Sequence, residues 1–73
     1  MYKTESRKDT FHRLATQRTN AVLKRLRILG HCSNLQLYEY TDEEVKKIFR
    51  IIESEMRTVR AKFTNSSNSE FQL

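Results

Sequence analysis

The sequence predicts an all-α fold, in the form of an antiparallel two-helix hairpin. The 73-residue chain contains no proline and a single glycine, Gly30, so little in it interrupts a helix. Apolar residues recur at helical spacing on both sides of that glycine, over about residues 8–29 and 42–63. Thr41 and Glu44 also have the spacing of a capping box, which marks where the second helix begins.

The first helix is predicted over about residues 8–29. Asp9 near its start, and basic residues in its last turns, both suit the helix dipole. Gly30 is expected to end the helix as a left-handed cap. The apolar face of this helix is formed by Phe11, Leu14, Ala15, Val22, Leu26 and Leu29.

Residues 31–40 form a connector of about ten residues, which is longer than most connections between bundle helices. Ser33 and Asn34 favour a turn. The connector carries too many large apolar groups for a loose linker, so we expect it to be ordered and to fold back over the open end of the hairpin. These groups are Leu35, Leu37, Tyr38 and Tyr40.

The second helix is predicted over residues 42–63. Thr41 and Glu44 can exchange hydrogen bonds as a capping box, and Tyr40 can pack on Val45 as a hydrophobic staple. One face of this helix is apolar over about five turns, which is more than one partner helix normally covers. That face is formed by Val45, Ile48, Phe49, Ile52, Met56, Val59 and Phe63.

These elements predict three segments: a flexible N-terminus over residues 1–7, a helical hairpin domain over 8–63 and a disordered polar tail over 64–73. A chain this short gains only about 3–5 kcal/mol from its own core. We therefore expect two hairpins to form a homodimer, in which four helices make one bundle.

The chemistry of the side chains disfavours catalysis. Cys32 is the only cysteine, so no internal disulfide is possible, and a reducing, cytoplasmic setting is the simplest interpretation. The sequence shows no membrane span and no signal peptide. Only His12, His31 and Cys32 could serve as nucleophile, base or soft metal ligand, and their spacing suits no zinc site. We expect no enzyme, no cofactor, no metal and no small-molecule substrate.

The formal net charge of +5 favours an acidic partner, either nucleic acid or an acidic protein surface. A charge of this size also occurs in small proteins for solubility alone. Arg18 and Arg25 fall within the apolar face of the first helix. Their side chains either extend to solvent or pair with Glu53 or Glu55, or they face a phosphate or carboxylate on a partner.

Asn20, Lys24 and Arg27 lie together on the outer side of the first helix. Leu23 adds an apolar side chain to that side. The leading hypothesis is a non-catalytic binding or regulatory module that contacts nucleic acid or a nucleoprotein complex. One alternative is an adaptor or inhibitor that binds a host protein complex, and another is a small structural subunit of a larger assembly. The candidate binding residues are Arg18, Asn20, Leu23, Lys24, Arg25, Arg27, His31, Tyr38 and Tyr40.

The middle half of the chain resembles a family of short bacterial helical proteins, some of them associated with mobile elements. The resemblance implies a bacterial or phage-like cytoplasmic origin and implies no activity. It singles out Arg18, Asn20 and Arg27, while His31 stands where members of that family often carry Asn. The matching elements are Arg18-Thr19-Asn20, Leu23, Leu26-Arg27, Gly30, Ser33-Asn34, Tyr38-Glu39-Tyr40-Thr41, Val45 and Ile48-Phe49.

Overall fold

Two long helices account for most of the protein. The structure, a computed structural model, describes the backbone of residues 4–68 and the side chains of residues 4–64. Helix α1 spans Arg7–Gly30, a short 3-10 turn spans His31–Ser33, and helix α2 spans Asp42–Asn68. Residues 4–68 contain no strand, so the predicted all-α class is confirmed.

The chain divides into two units, Met1–Tyr38 and Glu39–Leu73, each built around one helix. Among the residues whose side chains are described, none is buried, and most of the large apolar side chains of both helices are exposed. In the described part of the chain, neither helix has the length and apolarity needed to cross a membrane.

Ser6 is the N-cap of α1. Its hydroxyl oxygen accepts a hydrogen bond of 3.0 Å from the backbone N–H of Asp9, and its carbonyl accepts one of 2.8 Å from the N–H of Thr10. These bonds satisfy free amides of the first turn, which is the usual role of an N-cap serine. The helix therefore begins at Arg7, one residue earlier than predicted. Residues 1–3 of the predicted flexible N-terminus lie outside the described residues.

The prediction that Gly30 is a left-handed cap is wrong. Gly30 has φ −58° and ψ −25°, the right-handed helical conformation. The chain needs no left-handed residue here because the N–H of His31 donates to the carbonyls of Ile28 and Leu29. A 3-10 turn then carries the chain on to Asn34, where the backbone becomes extended.

Asn34 organises the connector, as the turn prediction required. Its side-chain oxygen accepts a hydrogen bond of 2.9 Å from the N–H of Gln36, which makes an Asx turn. Its carbonyl accepts bonds from the N–H groups of Leu37 and Tyr38, at 3.1 and 2.9 Å. Leu35 and Leu37 are each 71% exposed. The expectation that the connector folds back over a hairpin stays a prediction.

The predicted capping box of α2 is confirmed. The N–H of Glu44 donates to the Thr41 hydroxyl at 3.1 Å, and the N–H of Thr41 donates to the Glu44 carboxylate at 2.8 Å. Tyr40 and Val45, the two members of the predicted staple, are half-buried in a chain that is otherwise mostly exposed. Sequence and structure agree on the start of this helix because both partners of the box are local.

Helix α2 extends to Asn68, five residues beyond the predicted end at Phe63. The polar segment that follows Phe63 contains neither glycine nor proline, so nothing in it requires the helix to stop. Residues 64–68 of the predicted polar tail are thus helical, and residues 69–73 lie outside the described residues.

Candidate nucleic-acid or partner-binding surface

The net charge of the protein is concentrated in one continuous segment. From Thr10 to Tyr38 the sequence contains five lysines or arginines and no aspartate or glutamate, which gives this segment the full +5 of the chain. Residues 39–73 contain six basic and seven acidic residues, so their formal charge is −1. A positive field therefore surrounds α1 and the start of the connector. Its five cations are Arg13, Arg18, Lys24, Arg25 and Arg27.

Arg13 is the one cation of this segment that is held by an ion pair in the described residues. Its Nε lies 3.0 Å from Glu5 Oε2, and its Nη2 donates to Glu5 Oε1 at 3.0 Å. These hydrogen bonds hold the pKa of Glu5 below its usual range and raise the pKa of Arg13. Thr10 also donates to the Glu5 carboxylate, at 3.2 Å. Arg13 is thus less available to a partner than the other four cations.

Sequence reasoning missed this pair. Glu5 precedes the helix and reaches a residue eight positions on, whereas the usual search considers partners three or four positions apart. The available signal was the Ser6-x-x-Asp9 capping pattern, which fixes the chain entry and places Glu5 beside the first turns.

The remaining cations divide between two sides of α1. A regular helix turns about 100° per residue, which places Arg18 and Arg25 about 20° apart on the apolar face. Asn20, Lys24 and Arg27 fall within about 60° of one another, centred roughly 140° from those two arginines. All five side chains are exposed. The structure therefore separates the predicted binding residues into two sets that one flat partner cannot contact together.

We call the set formed by Asn20, Lys24 and Arg27 the outer face. Leu23 lies at its border, about 40° beyond Arg27, and is 41% exposed. His31 is exposed in the 3-10 turn that follows α1, and Tyr38 is half exposed at the end of the same unit. Tyr40 belongs to the second unit, where it is half-buried beside the capping box.

The outer face provides a guanidinium, an ammonium and an amide, all reachable from solvent. These groups donate hydrogen bonds to anionic oxygens, and Arg suits phosphate and carboxylate groups in particular. Cys32 is an exposed free thiol. Among the described residues, no group of three His, Cys, Asp or Glu side chains is arranged to hold a metal ion.

Comparisons with protein-family models, with curated proteins and with solved structures give no significant match for this chain. The resemblance to short bacterial proteins therefore stays a hypothesis, and the functional argument depends on the surface of α1.

Proposed function

We propose that this chain is a small non-catalytic module that contacts the phosphate backbone of a nucleic acid, alone or within a nucleoprotein complex, through the outer face of α1. The observation that supports it is the acid-free segment from Thr10 to Tyr38, which carries the whole net charge on exposed side chains. Without neighbouring carboxylates, Lys24 and Arg27 keep their full attraction for a polyanion.

We choose the outer face because the apolar face of α1 has to be covered by other helices and is then closed to a nucleic acid. A chain with no buried residue in its described part needs its apolar faces covered, and Arg18 and Arg25 lie within one of them. We propose that α1 and α2 pair as an antiparallel hairpin and that two copies form a four-helix bundle. Glu53 flanks the apolar face of α2 and is suited to neutralise an arginine there. The outer face stays open in that assembly.

Two double variants with the same change of charge test the proposal. Lys24→Gln/Arg27→Gln removes two cations from the outer face, and Arg18→Gln/Arg25→Gln removes two from the apolar face. Binding to a labelled duplex and to a labelled single strand is followed by fluorescence anisotropy at about 50 mM salt, where phosphate contacts contribute strongly. Circular dichroism of both variants checks that their helices are retained.

We expect the outer-face variant to lose about tenfold or more in affinity for both nucleic acids, since phosphate contacts carry no sequence information. The apolar-face variant should bind within about threefold of the wild type. An equal or larger loss in the apolar-face variant, or no binding by the wild type, contradicts the proposal.

A protein-binding adaptor is the second candidate, and the exposed Leu23 favours it. An aliphatic side chain beside Arg27 and Lys24 fits the mixed composition of a protein interface. Leu23→Lys separates the two functions. A module that binds phosphates keeps or gains affinity from the added charge, whereas a helix that lies in a partner's groove loses its apolar anchor.

A further inference from the structure

The apolar face of α2 has the period of a coiled coil. Six of its residues alternate in steps of four and three, a pattern that repeats every seven residues over nearly three heptads. In heptad notation, the a positions are Phe49, Met56 and Phe63, and the d positions are Val45, Ile52 and Val59. Ile48 lies at a g position beside this seam.

The a positions of the seam are exposed. Its three a-position side chains are 49%, 52% and 56% exposed, although they are among the largest apolar groups of the chain. Three successive pairs of a and d positions lie at the short end of the length typical of a coiled coil. A continuous exposed apolar strip of this kind marks an interaction surface.

The charged residues that flank the seam favour a second copy of α2 as its partner. They also favour one direction for that second helix. In a parallel, in-register pair, a g residue faces the e residue five positions later on the second copy. Glu55 at g then faces Arg60 of the second copy at e, and symmetry repeats that attraction on the other side. Ile48 faces Glu53 of the second copy, which adds no repulsion.

The antiparallel alternative places like charges together. Full overlap of the seam sets Phe49 level with Val59 of the second copy, so that e faces e and g faces g. Glu53 then meets Glu53 of the other chain and Glu55 meets its counterpart, while Lys46 meets Arg60. Every one of these charge pairs is repulsive, so the antiparallel alignment is disfavoured.

We infer that α2 joins copies of this chain through a parallel, in-register coiled-coil seam. The inference rests on the self-association in the proposed function and adds its direction and its residues. It fits two hairpins related by a twofold axis that runs along the helices. The β-branched d positions are more typical of trimers and tetramers than of dimers, so more than two copies can join the same seam.

Cysteine cross-linking tests the direction, in a Cys32→Ser background so that no native thiol reacts. Residues 45 and 63 lie at opposite ends of the seam, about 27 Å apart at 1.5 Å per residue. A parallel seam gives disulfide-linked dimers of the Val45→Cys chain alone, under thiol exchange in a glutathione buffer. An antiparallel seam instead links Val45→Cys to Phe63→Cys in an equimolar mixture of the two chains.

A charge reversal tests the same point without cross-linking, by sedimentation equilibrium. Arg60→Glu should weaken a parallel seam, because Glu55 then faces a glutamate, and Glu55→Lys/Arg60→Glu should restore it. Arg57→Glu is the matched control, since it makes the same charge change at an outward b position. The same Arg60→Glu change strengthens an antiparallel seam, where it faces Lys46.

The outcomes are distinguishable. Weakening by Arg60→Glu with rescue by the double variant, together with cross-linking of Val45→Cys to itself, supports the inference. Mixed cross-linking and strengthening by Arg60→Glu overturn the parallel direction but leave self-association intact. A wild-type chain that sediments as a monomer overturns both, while the nucleic-acid contact is judged separately by the anisotropy measurements.

Discussion

The two helices differ in charge and in the continuity of their apolar faces. Helix α1 lies mostly within the segment from Thr10 to Tyr38, which carries the whole net charge, and Arg18 and Arg25 interrupt its apolar face. The unit that contains α2 is nearly neutral, and the seam residues of α2 run from Val45 to Phe63 without a charged residue among them. The difference matches the proposed division of roles, in which α1 would contact an anionic partner and α2 would hold copies of the chain together.

The largest difference between the helices is expected when a charged residue is placed in the middle of each apolar face. Ile52→Lys should abolish self-association, because an unpaired charge in a covered seam costs about 3–5 kcal/mol, on the order of a hundredfold or more in affinity. Val22→Lys, the matched change in α1, should weaken self-association much less, because the seam that joins the copies lies on α2. Sedimentation equilibrium measures both, and equal losses would remove the distinction between the helices.

The two N-caps offer a smaller contrast. The hydroxyl of Thr41 accepts a hydrogen bond from the N–H of Glu44 and donates one of 3.3 Å to the Glu44 carboxylate, whereas the hydroxyl of Ser6 accepts one from the N–H of Asp9. Thr41→Ala should therefore destabilise the protein by about 1 kcal/mol, and Ser6→Ala by less. Thermal unfolding followed by circular dichroism measures both effects. Thr41→Ser keeps the hydroxyl and should be close to wild type, so a loss as large as that of the alanine variant would refute the capping role.

The end of α1 can be tested through its glycine. Gly30 is right-handed, and beyond its chain neighbours and its own helix backbone a Cβ added there meets no atom within 4 Å. Gly30→Ala should therefore stabilise the protein by about 0.5–1 kcal/mol, since alanine loses less conformational entropy in a helix. The midpoint of thermal unfolding should rise. A lower midpoint is the result expected of a left-handed cap, and it would restore the prediction made from the sequence.

The smallest effect concerns pH at the start of α1. The pKa of Glu5 is lowered in the folded chain by the hydrogen bonds from Arg13, so its contribution to stability is present above the unfolded pKa of the carboxyl group. That contribution disappears as the pH falls through the lower, folded pKa. NMR titration of the Glu5 carboxyl should give a pKa below that of the same group in the Arg13→Gln variant, and equal values would exclude the ion pair in solution.

The sequence predicted the features that depend on neighbouring residues. The capping box at Thr41, the Asx turn at Asn34 and the two helices all follow from side chains a few positions apart. The predictions from sequence were wrong about the ends of the two helices, where several weak conformational preferences compete. Gly30 permits a left-handed cap without requiring one, and the polar segment after Phe63 permits a helix that its composition does not favour strongly.

The candidate surface was predicted as a set of residues but not as a geometry. Arg18, Lys24, Arg25 and Arg27 are close in sequence, and only a regular helix over their whole length shows that they occupy two separate sides. The Glu5–Arg13 pair was beyond sequence reasoning because it spans eight residues and depends on how Ser6 caps the helix. The distribution of charge along the sequence does not distinguish the two sides of α1. The outer face was proposed as the binding side because the apolar face needs to be covered.

The salt dependence of nucleic-acid binding tests the central claim most directly. For the wild-type chain, the logarithm of the association constant should fall linearly with the logarithm of salt concentration between about 50 and 200 mM. Contacts from Lys24 and Arg27 predict a slope of about −2 per chain, and Lys24→Gln/Arg27→Gln should bring the slope close to zero. Binding that does not change with salt, or a slope that this variant leaves unaltered, would contradict the assignment of the outer face.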